Sequence, residues 1–90
     1  MDRIKILVNG NLKMSALKTA AQCVHAALGL YKSDPREHHS CIVLEVTATR
    51  FYVAQVQYPG GYVVTDAGYT EVPPGSKTAF AFYEPDPRTE

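Results

Sequence analysis

The order of its apolar runs constrains this chain more than any other feature. "RIKILV" near the start and "CIVLEV" at Cys41–Val46 are rich in β-branched and apolar residues and read as strands. Between them, "MSALKTAAQCVHAALGLYKS" has helical periodicity. Parallel strands need a crossover of about a dozen residues or more, usually a helix. Strand, helix, strand in this order therefore predicts an α/β fold. "CIVLEV" is apolar almost throughout, as expected of a strand covered on both faces.

The helix has a visible start. Ser15 is a good N-cap, because its hydroxyl accepts a hydrogen bond from an orphan N–H of the first turn. Leu17, Ala21, Val24, Leu28 and Tyr31 then recur at helical spacing and form one apolar stripe, of the kind that faces a core. Lys18, Gln22, His25 and Gly29 form a second stripe. The many alanines let such a helix pack close to a sheet. It is expected to end near Tyr31, before the polar stretch "KSDPREHHS", which reads as a loop. His38 and His39 fall there, solvated, and two adjacent histidines are a weak metal signal.

"TATRFYVAQVQYPGG" is ambiguous. Its alternation and propensity favour a strand. The need for a crossover favours a short helix over Thr49–Tyr58, and a helix is expected there. "YVVT", Tyr62–Thr65, is a strand. In the last strand, "TAFAFYE", Thr78, Phe80 and Phe82 alternate with Ala79, Ala81 and Tyr83. "PDPRTE" is expected to fray.

Ninety residues with neither linker nor repeat make one domain, 1–90. The formal net charge of zero argues against a strongly electrostatic nucleic-acid binder. No apolar run approaches the roughly 20 residues a membrane span needs, and the start lacks the apolar core of a signal peptide. A cytoplasmic location is expected. Cys23 and Cys41 make no disulfide framework and are expected to be reduced and buried.

One connection is overloaded. "DAGYTEVPPGSKT" puts an acid, hydroxyls, a lysine, prolines and glycines between two strands. With strands 1, 2 and 3 parallel and strand 4 antiparallel, this connection emerges at the same sheet edge as the helix start. Ligands in open α/β sheets sit outside the carboxyl ends of the strands. That edge would gather Asn11, Lys13, Ser15, Lys18, Gln22, Asp66, Thr70, Ser76 and Thr78. Lys18 sits at a helix N-terminus, where a cation is unfavourable unless an anion comes near. Asp66 or a phosphate is its expected partner.

"NLKMSALKTAAQCVHAALG" and "DAGYTEVPPGSKT" together resemble the type-2 peptidyl-tRNA hydrolase family. The resemblance runs from Ile4 to Phe82. It implies a four-stranded mixed sheet in the order 2-1-4-3, with strand 4 antiparallel and helices on both faces. It implies hydrolysis of the ester between peptide and tRNA, with peptidyl-tRNA as partner and no metal or cofactor. Lys18, Asp66 and Thr78 would be catalytic. Gln22, Thr70, Lys13, His25 and Asn11 would contact substrate, although His25 alone reads as a half-buried structural histidine. The chain departs from the family pattern at Asn11, Ser15, Ala16, Val24 and Tyr69, losing a lysine and an arginine. Phosphate contacts then fall to Lys13, Lys18, Arg50 and Lys77. Those losses keep a second reading open, a repurposed module of the same fold that binds a nucleotide, small ester or protein without hydrolysis. A homodimer covering Phe51, Tyr52 and Tyr83 is a further expectation.

Overall fold

Tyr62 and two alanines decide how this domain is assembled. The computed structural model describes residues 1–89, and of His39 and Thr89 the backbone alone. Strand β1 (Asp2–Asn9) leads through a single 3-10 turn into helix α1 (Ala16–Ser33). Strand β2 (His38–Val46), helix α2 (Ala48–Gln57), strand β3 (Tyr62–Thr65) and strand β4 (Lys77–Pro85) follow. The sheet order is β2-β1-β4-β3. β1 pairs parallel with β2, and β4 pairs antiparallel with both β1 and β3. The expected mixed α/β sheet is the one found, and residues 48–57 are helical, capped by Thr47.

Alternation along the strands divides the core in two. Ile4 and Ile6 of β1 and Ala79 and Ala81 of β4 meet Ala26 and Leu30 of α1 on one face. Leu7, Phe80 and Phe82 meet Phe51 and Ala54 of α2 on the other. Small residues on β4 let α1 come close, and a Cβ at Gly29 would collide with the Tyr62 ring. The helix therefore docks through Gln22, Ala26 and Leu30. Its apolar stripe turns outward instead: Leu17 is 85% exposed and Val24, Leu28 and Tyr31 are exposed too, against 1% for Leu30. A stripe of large side chains would hold the backbone away from Tyr62; the small and polar residues do not.

Several expectations are corrected. β2 starts at His38, so that residue lies in a strand rather than a loop; the expectation for the His39 side chain falls outside the described residues. β2 is an edge strand, and Cys41, Val43 and Leu44 are exposed, not covered on both faces. Cys23 is half-buried, and burial raises its thiol pKa; neither cysteine is bonded to the other. Residues 86–88 are held rather than frayed: Asp86 is buried and accepts from the Arg88 guanidinium and the Ser40 hydroxyl, while Glu90 lies outside the described residues. Of the three aromatic residues expected at a dimer surface, only Tyr52 is exposed. Phe51 is fully buried, and the Tyr83 hydroxyl donates to the Asp34 carbonyl beneath the Arg36 guanidinium.

Candidate active site at the start of the first helix

The inward face of α1 is polar at its beginning and apolar at its end. Lys18, Gln22, Ala26 and Leu30 follow one another at four-residue spacing, one above the next on the side that meets the sheet. The last two are core. The first two lie where β3 ends and the β3–β4 connection begins.

Lys18 is gripped by that connection. Its Nζ donates to both Asp66 carboxylate oxygens at 3.1 Å and to Thr70 Oγ1 at 2.9 Å. Asp66 is itself fixed. Its backbone N–H donates to the Ser76 carbonyl, its carbonyl accepts from Gly75, and its Oδ2 accepts from the Gly68 N–H. Gly68 has φ +83°, and a Cβ there would run into the Pro74 backbone. "DAG…PPGS" is thus a closed loop that presents one carboxylate to one ammonium.

One turn along the helix, Thr78 Oγ1 donates to Gln22 Oε1 at 2.7 Å, with both side chains buried. Strict alternation would aim Thr78 at α2 with Phe80 and Phe82, as the sequence pattern suggests. The register between β3 and β4 slips instead: Val64 faces Ala79, but Thr65 faces Lys77. Thr78 is the extra residue of a β-bulge, a device that re-aims a side chain, and it turns to α1. An open cavity of about 200 Å³ lies beside this pair, lined by Gln22, His25, Val64, Thr65, Asp66 and Ala67. His25 is exposed there rather than half-buried.

Lys18, Asp66, Thr70, Gln22, Thr78 and His25 therefore come together. Asn11 and Lys13 do not join them. Asn11 Oδ1 accepts the Ala48 N–H at the start of α2, and exposed Lys13 closes the 3-10 turn with φ +51°. Arg50 lies on the α2 side of the sheet, beside Lys5 and Leu44. Ser76 donates to the Pro73 carbonyl. Tyr69 is 92% exposed. Met14 lies under α1 in an apolar groove of about 660 Å³ with Cys23 and Val43. Among the described residues, no three His, Cys, Asp or Glu side chains gather as a metal would require.

Sequence reasoning missed Glu71. Its carboxylate accepts the Ser15 N–H and the Ser15 hydroxyl, each at 2.7 Å. Those bonds hold its carboxyl below the usual carboxylate range. The available signal was negative: α1 has no acidic residue in its first turn, so its positive end was open to an acid from elsewhere.

Fold and site together define a small α/β domain with a lysine–carboxylate–threonine cluster where a mixed sheet meets the start of its first helix. Residues 3–90 match the family model described as Peptidyl-tRNA hydrolase PTH2, and the chain belongs to that family. It is also 30% identical over 99 residues to Probable peptidyl-tRNA hydrolase 2 of Caenorhabditis elegans, an alignment that takes in 90% of this chain. The chain spans only 31% of that relative's length.

Proposed function

We propose that this chain hydrolyses the ester joining a peptide to the ribose of tRNA. The observation that supports this most directly is the Lys18 ammonium, fixed between Asp66 and Thr70 beside the cavity that Gln22 lines. Attack of water on the ester carbonyl builds negative charge on its oxygen. An ammonium already oriented by its partners meets that charge without having to reorganise. Asp66 orients the ammonium and accepts the proton of the attacking water. As the ester breaks, that proton passes to the departing ribose oxygen. Thr78 engages the oxygen of the Gln22 amide, which leaves the amide N–H₂ as the end Gln22 offers to substrate. Thr70 and His25 border the ribose and ester.

The setting follows from the substrate. Peptidyl-tRNA arises from translation, so the hydrolase reading carries a cytoplasmic location with it as part of the proposal. Separately, no helix among the described residues is long and apolar enough to cross a membrane. We also propose a homodimer, which would cover part of the apolar surface left on α1 and β2.

The test is release of peptide from an N-blocked aminoacyl-tRNA. Turnover by the wild type and its loss in Lys18→Ala and Asp66→Ala are the expected results. No turnover by the wild type, or full turnover by both variants, overturns the reading. One observation favours a binding module of the same fold instead: the cluster carries two carboxylates, Asp66 and Glu71, near one ammonium. Binding of tRNA that weakens steeply with salt counts against that alternative.

A further inference from the structure

The connection between β3 and β4 is fastened to α1 at two places. One is the grip of Asp66 and Thr70 on Lys18. The other is Glu71, with both carboxylate oxygens on Ser15. Glu71 sits at the centre of a three-residue turn, closed by the Val72 N–H donating to the Thr70 carbonyl at 2.7 Å. Its φ is +61°. The positive-φ form of such a turn is the rarer and the strained one, and residues other than glycine seldom enter that region. Strain of this kind persists only where its surroundings hold it. Here Ser15 holds the side chain, and buried Val72 anchors the chain just beyond. Thr70, immediately before the strained residue, is thereby brought to Lys18.

We propose that Glu71 is a positioning residue, a clasp on Ser15 that keeps the Thr70 hydroxyl within reach of the Lys18 ammonium. Its catalytic meaning rests on the hydrolase reading above. The clasp itself does not, because it is a statement about which contact holds the loop. The Ser15 hydroxyl serves both sides of the joint, accepting the Lys18 N–H as helix cap and donating to Glu71. Both Ser15 contacts are made by the Glu71 carboxylate and both are exposed, so the carboxylate is the part to remove. The Ser15 bonds hold the Glu71 pKa down, so the carboxylate that makes the clasp is charged at neutral pH.

Amide hydrogen exchange, followed residue by residue by NMR on the whole chain, reads the clasp without any substrate. Glu71→Ala removes the carboxylate but keeps a side chain at the positive φ, so the strain stays while the clasp goes. Glu71→Gln keeps the size but sets one acceptor against two donors. Both are expected to speed exchange at Val72 at least tenfold and to leave the amides of β1 and β4 unchanged. In turnover, Thr70→Ala is expected to lower the rate in the wild type and to have no further effect beside Glu71→Ala. Unchanged exchange in Glu71→Ala, or an equal cost of Thr70→Ala in both backgrounds, overturns the proposal. If the wild type shows no hydrolysis, the hydrolase reading falls, and exchange at Val72 alone decides the clasp.

Discussion

The Lys18 ammonium and the Asp66 carboxylate meet at 3.1 Å through both oxygens, across 48 residues of sequence. Each side chain is only 12% exposed, so solvent and salt screen the pair weakly. Asp66→Asn keeps the shape and removes the charge. Turnover is expected to fall by about 100-fold or more. Stability is expected to fall by about 1–3 kcal/mol, since a charged group loses its partner in a place poor in water. Peptide release and urea unfolding measure the two separately, and an unchanged rate in a destabilised variant would make the pair structural only.

Thr78 and Gln22 satisfy each other inside the protein, with Thr78 fully buried. Thr78→Val keeps the branched shape but withdraws the donor, leaving Gln22 Oε1 unpaired. A cost of about 1–3 kcal/mol is expected. Thr78→Ser retains the hydroxyl and should recover most of the turnover lost in the valine variant. Denaturant midpoints and hydrolysis rates for the two variants check both statements.

Much of this was legible in the sequence, for local reasons. The cap at Ser15, the order of strands and helices, and the meeting of Lys18 with Asp66 follow from residue types and from where connections must emerge. The face of α1 was not legible, because it depends on Tyr62 and on the alanines of β4, none of them near the helix in sequence. The orientation of Thr78 depends on a one-residue slip between two strands, which the alternating letters conceal. The exposure of Cys41 depends on β2 being an edge. Glu71 escaped because its partner is 56 residues away.

The docking of α1 gives a direct contrast. Leu17 belongs to the apolar stripe and is 85% exposed, whereas Leu30 is 1% exposed. Leu30→Ala is expected to cost about 2–5 kcal/mol, and Leu17→Ala to stay within about 0.5 kcal/mol. Chemical unfolding of the two variants settles which face packs. Equal costs would mean that the stripe is covered in solution, and sedimentation would then show association.

Gly68 is placed where a side chain fails twice. Its φ of +83° disfavours any Cβ, and the Cβ would meet the Pro74 backbone, which cannot swing aside. Gly68→Ala should cost about 1–3 kcal/mol and displace Asp66, whose Oδ2 accepts the Gly68 N–H. Gly75, also at positive φ, has open space around it. Gly75→Ala therefore carries the conformational penalty without the collision and should be milder. Comparing turnover and thermal midpoints of the two variants separates steric from backbone effects.

Asp86 ties stability to acid. The Arg88 side chain, the Arg88 backbone N–H and the Ser40 hydroxyl all bond its carboxylate and hold its pKa far below the ordinary value. An aspartate in the unfolded chain takes up a proton at about pH 3.9, while the folded chain still resists it. Below that pH the unfolded state therefore binds more protons, and stability falls as pH falls. Above it, the contribution is fully present. Glu71, shifted in the same direction by Ser15, acts with the same sign. The thermal midpoint of the wild type should be level from pH 7 to about pH 5 and then drop steeply toward pH 2. Asp86→Asn should start lower at pH 7 and drop less, because one of the protonations that drive the loss has been removed. Parallel curves for the two proteins would show that Asp86 takes no part.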